Sequence, residues 1–325
     1  MKYYGTAMIP MLVSFLISVF LCPIVIPLLR KMKLRQYVRL DGPKTHLHKE
    51  GTPTMGGVII LTAAGLSSLL FLQDASEMLP VLFSTLGFGM IGFLDDYIKV
   101  ILQRSEGLTP VQKLILQAMV AGVFVYYYLV QLQAEPEFLI PFTGGTAEGY
   151  YFRLPEPLFV LFSFFVMLGT VNGTNFTDGL DGLASGVTLL VAMFFTVVAI
   201  GMNSGVLSVT AAVTGALMGF LVYNVYPACV FMGDTGSLAL GGFVSSVALL
   251  LKLPMFILIV GAIYMIEVLS VIIQVSFYKM THGKRIFKMA PIHHHFEQCG
   301  WSETRIVTIF SIVTALCCLI GLAAL

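Results

Sequence analysis

Long apolar runs separated by short polar connections dominate the chain. A membrane-spanning helix needs about 20 mainly apolar residues, and about ten runs approach that length. Asn203–Gly205, Tyr226–Pro227 and Pro254 separate neighbouring runs, as expected of short connections between helices. The expected spans are 8–29, 54–73, 79–96, 111–132, 156–171, 183–202, 206–224, 236–252, 254–278 and 304–324.

The composition agrees with a membrane protein. Hydrophobic residues make up 58% of the 325 positions and charged residues 11%, with a mean hydropathy of +0.92. Soluble domains are only roughly 45–50% apolar. The five cysteines have no metal-type spacing, so we expect reduced packing residues. The chain is therefore expected to be an all-α integral membrane protein, with residues 1–325 as a single polytopic domain and no nucleic-acid partner.

Basic residues are unevenly distributed over the connections. Of the 18 Lys and Arg residues, only Lys2, Arg153 and Lys252 fall on one side of the ten-span ladder, and the rest fall on the other. Because cytoplasmic loops are enriched in Lys and Arg, the basic side is expected to be cytoplasmic and both termini extracytoplasmic. The outer segment 133–155 is expected to form a small hairpin. All the polar clusters described next then lie at cytoplasmic helix ends.

The first polar cluster is Asp95-Asp96, at the end of the third span. A charge near the bilayer centre costs roughly 2.5–3.5 kcal/mol, so ionisable residues beside spans are candidates for function. The two carboxylates repel each other and require a cation nearby, either a divalent ion or Lys99, which follows within one helical turn. A solvated helix end with a salt bridge is the alternative interpretation.

The second cluster places polar side chains at every third position: Asn172, Asn175, Asp178 and Asp181. Intervening glycines permit close approach of a ligand to the backbone. A polar turn between helices is the alternative. Two glycosylation sequons in the same segment are discounted, because the segment is expected to be cytoplasmic.

The third cluster, Gly233–Ser237, precedes the eighth span and predicts a helix N-terminus able to bind phosphate. Phe231 could stack on a base, although packing is the commoner role of a lone Phe. The segment Gly87–Gly92 matches a dinucleotide-binding pattern but lies inside a span, which indicates helix packing through small residues.

The fourth cluster is the triplet His293, His294 and His295, in a connection rich in basic residues. Their side chains point about 100° apart if helical, which disfavours a single metal site and favours anion binding or proton transfer. Glu267 and Gln274, seven residues apart in the ninth span, would share a face. For them, interior hydrogen bonding is favoured over substrate contact.

These residue types indicate phosphoryl chemistry. Asp and Asn oxygens without a zinc motif suit Mg²⁺ or Mn²⁺. Hard cations, lysines and a helix N-terminus are used in phosphoryl transfer to hold and neutralise phosphate oxygens. A position at the membrane surface suits one soluble and one lipid substrate. The residues therefore predict a Mg²⁺-dependent phosphotransferase that acts on a lipid.

Six ordered motifs extend over nearly the whole chain and carry a resemblance to a known family. They are Pro53–Gly57, Phe93–Tyr97, Asn175–Leu183, Asn224–Ala228, Phe231–Ser237 and Pro291–Glu297. Together they resemble the phospho-N-acetylmuramoyl-pentapeptide transferases, a branch of the polyprenyl-phosphate sugar-1-phosphate transferases. The intact triple-His motif points to this muramoyl branch.

The resemblance implies a reaction in peptidoglycan synthesis at the bacterial cytoplasmic membrane. Phospho-MurNAc-pentapeptide would pass from its UDP carrier to undecaprenyl phosphate, giving lipid I and UMP with Mg²⁺ as cofactor. It also implies a ten-span fold, an active-site cleft at the cytoplasmic face and a homodimer.

The resemblance further implies roles for individual residues. Asp234 would be the Mg²⁺ ligand with Asp95 and Asp96 beside it, and these three would be the catalytic residues. Asp95 would deprotonate or orient the lipid phosphate, whose oxygen then attacks the β-phosphate of the nucleotide. The implied substrate-binding residues are Lys49, Lys113, Asn172, Asn175, Asp178, Asp181, Asn224, Phe231, Gln274, His293, His294 and His295.

Two other functions are compatible with parts of the sequence. A GlcNAc-1-phosphate transferase for teichoic acid or other surface polymers would share the Asp motifs. An ion-coupled transporter would also place carboxylates in a ten-span bundle, but it predicts charges near the bilayer midplane. Here all but Glu267 gather at one surface. An intramembrane metalloprotease is excluded because the chain has no His-Glu-x-x-His motif.

Overall fold

The protein is a helical bundle, which a computed structural model describes over residues 2–32, 51–72, 75–102 and 106–325. A two-stranded sheet is attached to one end of it. The elements are α1 (Lys2–Lys31), α2 (Gly57–Leu70), α3 (Ala75–Ile101), α4 (Pro110–Tyr126), β1 (Glu137–Leu139), α5 (Gly145–Glu148), β2 (Tyr151–Arg153), α6 (Glu156–Thr177), α7 (Leu183–Met202), α8 (Leu207–Asn224), α9 (Gly233–Leu250), α10 (Ile257–Val260), α11 (Ala262–Met280), α12 (Ile292–Gln298) and α13 (Glu303–Ala323).

Most of the expected spans are present as long apolar helices. Within the described ranges, nine helices are long and apolar enough to cross a membrane, which confirms an all-α membrane protein. The apolar run at 54–73 forms the shorter helix α2, with 14 residues. At a rise of about 1.5 Å per residue, α2 is about 21 Å long, less than the roughly 30 Å of a bilayer core.

The expected span at 254–278 is not one continuous helix. It begins with a 3₁₀ turn at Pro254–Phe256, continues as α10, and breaks at Gly261 before α11. A Cβ atom on Gly261 would lie 2.8 Å from the carbonyl oxygen of Ile257, so this tight break suits glycine. The residues around the break are as apolar as those of a helix, which is why hydrophobicity alone predicts no interruption.

Helix α6 extends further than the apolar pattern predicts. The expected span ends at residue 171, but α6 continues to Thr177 and takes in half of the polar segment. Thr174 and Thr177 are buried, and each hydroxyl donates to a backbone carbonyl one turn earlier, of Thr170 and Gly173. Hydroxyls satisfied in this way can lie inside a helix, so the first residues of the polar segment are helical.

The outer segment forms the expected hairpin. Strands β1 and β2 pair antiparallel, with Glu137 opposite Arg153. The backbone N–H of Leu139 donates to the carbonyl of Lys252, and that of Phe142 donates to the carbonyl of Ala324. The hairpin therefore lies beside the ends of α9 and α13, and this side of the bundle is called the hairpin end below.

The polar motifs lie at the opposite end of the bundle, called the polar end below. Helices α3, α6, α8 and α11 finish there, and α4, α7, α9 and α13 begin there. Helix α4 begins with a capping box, in which Thr109 Oγ1 accepts from the Gln112 backbone and the Gln112 side chain accepts from the Thr109 backbone. This cap fixes where Lys113 leaves the helix.

Helix α9 lies at the centre of the bundle, packed against α2, α3 and α6. Glycines allow its first turn to approach its neighbours closely. A Cβ atom on Gly57 would lie 2.2 Å from the backbone nitrogen of Gly236, and one on Gly92 would lie 2.0 Å from the carbonyl oxygen of Asp234. The Gly87–Gly92 segment is thus a helix-packing surface, as its place inside a span indicates.

Substituting Gly57 tests this close packing. In Gly57→Ala the new methyl group meets backbone atoms of α9, so we expect a stability loss of about 1–3 kcal/mol, seen as a lower thermal unfolding midpoint in detergent. Gly65→Ala in the same helix is the matched control, because its Cβ meets no atom within 4 Å and alanine favours helix by about 1 kcal/mol. Equal midpoints for the two variants would contradict the packing described here.

Candidate active site

Asp234 lies where four helices meet. It belongs to the first turn of α9, and its Oδ2 accepts hydrogen bonds from Lys99 Nζ and Lys113 Nζ, each at 2.9 Å. Its Oδ1 accepts from Asn175 Nδ2 at 2.8 Å. These three donors come from α3, α4 and α6, so one carboxylate joins residues that are far apart in the sequence.

Asp95 shares one of these cations. Helix α3 continues to Ile101, so Lys99 lies one turn after Asp95 and pairs with its Oδ2 at 2.6 Å, as the spacing predicts. Asp95 Oδ1 accepts from the backbone N–H of Leu108 at 2.7 Å, and Lys113 Nζ lies 3.9 Å from Asp95 Oδ2. Lys99 therefore bridges Asp95 and Asp234, which places two buried or half-buried carboxylates side by side.

Asp96 has a different environment from its neighbour. Its Oδ1 accepts from the backbone N–H of Asp234 at 3.2 Å, and its Oδ2 accepts from the Thr235 backbone and hydroxyl at 2.9 and 2.8 Å. The first N–H groups of a helix have no partner within it, and they carry its positive dipole end. Asp96 thus caps α9 from another helix, and both of its oxygens are used in doing so.

The three carboxylates form a cluster that could hold a metal ion. Asp95, Asp96 and Asp234 each offer an oxygen within 4.8 Å of the others. Counted at their formal charges, three carboxylates and two ammonium groups leave one negative charge, which favours a further cation. Oxygen ligands of this kind suit Mg²⁺. The residues therefore fit a magnesium ion.

Asn175 and Asn172 have separate partners although both lie on α6. Asn175 Nδ2 contacts Ser237 Oγ at 2.8 Å as well as Asp234. Asn172 instead forms an amide pair with Gln117 of α4 and donates to the carbonyl of Leu168. Asn175 therefore belongs to the Asp234 cluster, whereas Asn172 lies one turn deeper in the bundle.

The turn after α6 is held in place by the protein itself. The backbone N–H of Asp181 donates to Glu303 Oε1 at 2.6 Å, and Asp181 Oδ2 accepts from the backbone N–H of Ala228 at 2.9 Å. Asp178, at the C-cap of α6, is partly exposed on the same turn. The turn thus connects α6 to the start of α13 and to the segment after α8.

Asn224 and Phe231 shape the segment between α8 and α9. Buried Asn224 accepts from Ser185 Oγ at 2.6 Å and donates to the carbonyl of Val230 at 2.9 Å. Phe231 is partly exposed, and its backbone N–H donates to the carbonyl of Pro53 at 2.9 Å. Two motifs from distant parts of the sequence, around residues 53–57 and 231–237, are therefore adjacent beside Asp234.

The three histidines lie on the short helix α12, and each has a different partner. His293 is buried and its Nδ1 contacts Glu267 Oε2 at 3.0 Å. His294 Nδ1 contacts Glu297 Oε2 at 2.6 Å, and His295 Nδ1 accepts from the Lys288 backbone at 3.1 Å. This divergence agrees with the expectation that the triplet is not a single metal site.

His293 also connects α12 to the turn after α6. A Cβ atom on Gly179 would lie 2.1 Å from His293 Nε2, so the ring packs directly against the Gly179 backbone. Gln274 has a comparable internal role, because its Oε1 accepts from the backbone N–H groups of Ile286 and Phe287 at 3.2 and 2.9 Å. The favoured interior hydrogen bonding of Glu267 and Gln274 is confirmed.

The predicted site residues therefore fall into distinct groups. Asp95, Asp96, Lys113, Asn175 and Asp234 converge on one point. The remaining described candidates lie outside this convergence and have hydrogen bonds to other parts of the protein: Asn172, Asp178, Asp181, Asn224, Phe231, Gln274, His293, His294 and His295. Lys49 lies outside the described residues.

Several contributors to the site have no strong sequence signal. Gln117 lies inside α4 and Glu303 at the start of α13, neither belongs to a motif, and only their contacts with Asn172 and Asp181 identify them. Thr235 and Ser237 could have been found, because they lie in the same glycine-rich motif as Asp234.

Two family models match this chain. The family model for glycosyl transferase family 4 matches residues 78–252, which include the Asp234 cluster. The model for phospho-N-acetylmuramoyl-pentapeptide-transferase signature 1 matches residues 49–61.

Curated relatives match along almost their whole length. A protein of Clostridium botulinum (strain Eklund 17B / Type B) is 48% identical, over 98% of this chain and 97% of the relative. One of Clostridium kluyveri is 48% identical, over 97% and 98%, and one of Clostridium acetobutylicum is 47% identical, over 99% of both. Each is named phospho-N-acetylmuramoyl-pentapeptide-transferase. The resemblance seen in the motifs is thereby confirmed, and the chain is a multi-pass membrane enzyme that belongs to the phospho-N-acetylmuramoyl-pentapeptide-transferase family.

Proposed function

We propose that the protein transfers phospho-MurNAc-pentapeptide from its UDP carrier to undecaprenyl phosphate, giving lipid I and UMP. The observation that carries the proposal is the convergence of Lys99, Lys113 and Asn175 on Asp234 beside Asp95. Clustered carboxylates with two lysines suit a reaction in which phosphate oxygens must be held and neutralised. The names of the relatives support the sugar nucleotide and the reaction class.

The cofactor in this proposal is Mg²⁺, held by Asp234 together with Asp95. When bound, Mg²⁺ would neutralise charge on the diphosphate oxygens of the nucleotide. Lys99 and Lys113 are anchored by the same carboxylates, so their ammonium groups are positioned to bind phosphate oxygens. Their positive charges stabilise the charge that shifts onto UMP as its bond to the β-phosphorus breaks.

Asp95 is proposed to orient or deprotonate the lipid phosphate. Its carboxylate is held by Leu108 and Lys99, so it has a fixed direction. The oxygen of the lipid phosphate forms the new bond to the β-phosphorus, and UMP leaves with the electron pair of the broken bond. Asp96 contributes by capping the helix that carries Asp234.

The substrate is proposed to lie across the turn after α6 and the start of α9. Asn175, Asp178, Asp181 and Asn224 would form the uridine and diphosphate region, with the partly exposed ring of Phe231 stacking on the base. Asp181 and Asn224 are buried and bonded within the protein, so we assign them the role of shaping this region.

The remaining basic residues of the proposed site bind phosphate or sugar groups. They are Lys49, Lys113 and the three histidines, of which His294 and His295 are partly exposed and His293 is buried. The homodimer is likewise a proposal. Exposed apolar side chains on α1, including Leu16, Phe20 and Ile24, offer a face for a second copy as well as for lipid.

The polar end is proposed to face the cytoplasm, with both termini outside. Within the described residues, Lys99, Lys113, Lys284 and Arg285 are among the basic side chains near the polar end, and Arg153 and Lys252 lie at the hairpin end. This asymmetry supports the orientation through the preference of Lys and Arg for cytoplasmic connections. It would also give the site access to a soluble nucleotide.

The reaction is tested with purified protein and two sugar nucleotides. We expect UMP release from UDP-MurNAc-pentapeptide that requires both Mg²⁺ and undecaprenyl phosphate, and no release from UDP-GlcNAc. The discriminating measurement is lipid-linked product together with UMP for each donor. Turnover of UDP-GlcNAc alone would reject the muramoyl assignment in favour of a GlcNAc-1-phosphate transferase.

The role of Asp234 is tested by Asp234→Asn, which keeps the size of the side chain and removes its charge. We expect kcat to fall about a hundred-fold or more, because the lysines and the metal lose their shared anion. Glu77→Gln is the matched control, since Glu77 accepts from Ser204 and Gly205 at the hairpin end, and it should keep wild-type turnover. Near-normal kcat of Asp234→Asn at saturating Mg²⁺ would rule out this role.

The orientation is tested with the native cysteines. Cys229 and Cys299 are exposed near the polar end, while Cys22 and Cys318 are buried. A membrane-impermeant maleimide should label the protein in inverted vesicles and not in intact right-side-out vesicles. The double variant Cys229→Ser/Cys299→Ser should remain unlabelled in both kinds of vesicle. Labelling confined to right-side-out vesicles would place the polar end outside the cell.

A further inference from the structure

Two side-chain amides join α4 and α6 inside the bundle. Asn172 Nδ2 donates to Gln117 Oε1 at 2.8 Å and to the carbonyl of Leu168 at 2.8 Å, and Gln117 Nε2 faces Asn172 Oδ1 at 3.4 Å. The carbonyl of Leu168 can only accept, so the nitrogen of the Asn172 amide faces it, and this sets the orientation of Asn172 and, through it, that of Gln117. Gln117 is 1% exposed, so this pair is not a solvated surface contact.

The amide pair lies one turn away from two residues of the Asp234 cluster. On α4, Lys113 precedes Gln117 by four positions, and on α6, Asn175 follows Asn172 by three. Residues three or four apart lie on the same helix face. Lys113 and Asn175 bind opposite oxygens of the Asp234 carboxylate, at 2.9 and 2.8 Å.

We propose that the Gln117–Asn172 amide pair is a positioning device that holds Lys113 and Asn175 on the two oxygens of Asp234. The proposal rests on the catalytic role of Asp234 given above. A change in the separation of α4 and α6 would move the Lys113 ammonium relative to the Asn175 amide. A carboxylate held from both sides cannot follow both donors, so it would lose one contact or rotate.

The bonding of Asn172 supports this role over direct substrate binding. Both hydrogens of its amide nitrogen are donated, one to Gln117 and one to Leu168. A substrate group that accepts from this amide nitrogen would have to break one of these two bonds. Asn172 therefore acts through Gln117 and α4, and Gln117 joins the set of residues on which the site depends.

The experiment exchanges the two amides between the helices. Gln117→Leu removes the pair while keeping a similar volume, and we expect kcat for UDP-MurNAc-pentapeptide to fall about ten-fold, since small misplacements of catalytic groups are costly. The KM for the nucleotide should change less than kcat, because the misplaced groups act mainly on the transition state. The double variant Gln117→Asn/Asn172→Gln keeps both amides and their combined length. We therefore expect its kcat to be closer to the wild-type value than the kcat of either single variant, Gln117→Asn or Asn172→Gln.

Ser67→Ala is the control for a loss of helix contacts in general. Ser67 Oγ is buried and donates to the carbonyl of Pro10, which joins α2 to α1 far from Asp234. Ser67→Ala should lower the thermal unfolding midpoint as Gln117→Leu does but keep wild-type kcat.

A Gln117→Leu variant with lowered stability and unchanged kcat would show that the pair is only structural. An exchanged variant no more active than the single variants would show that amide pairing is not what matters. Absence of wild-type turnover would instead count against the proposed reaction.

Discussion

The ion pairs of Asp234 are the interaction on which the polar end of the bundle depends. A carboxylate taken out of water must be paired, since an isolated buried charge is very costly. Lys99, Lys113 and Asn175 compensate it at 2.8–2.9 Å, and each comes from a different helix. Helices α3 and α6 must therefore end, and α4 begin, at the depth where α9 starts. The same requirement places Asp95 beside Asp234, because the two share Lys99.

The start of α9 imposes a second constraint that acts at the same place. Its first backbone N–H groups have no partner within the helix, and unpaired backbone groups are poorly tolerated where water is excluded. Asp96 accepts from Asp234 and Thr235 there. This contact requires α3 and α9 to touch, which Gly92 permits because it has no side chain. The two adjacent carboxylates thus have different roles, because Asp95 pairs with lysine and Asp96 caps α9.

Around this centre, polar residues hold the connections in position. Asp181, Asn224 and Gln274 each accept or donate hydrogen bonds to backbone groups of neighbouring segments. Most buried polar groups in proteins are hydrogen-bonded, and these bonds restrict how far the connecting segments can move. His293 and Glu267 extend the network to α12. Several of the residues proposed to contact substrate therefore also hold neighbouring segments of the protein in position.

The sequence by itself determined the class of the protein, its family and most of its helices. Apolar runs indicate which segments are buried in lipid or protein, and short motifs such as Phe231–Ser237 can be recognised from the sequence alone. It did not predict the break at Gly261 or the extension of α6 to Thr177, because local hydrophobicity carries no information on backbone hydrogen bonding. Nor could it separate the roles of Asp95 and Asp96, which are adjacent in sequence. Only the tertiary structure decided these, since the partners of Asp96, Gln117 and Asp234 lie 55–139 positions away along the chain and long-range packing alone brings them within hydrogen-bonding distance.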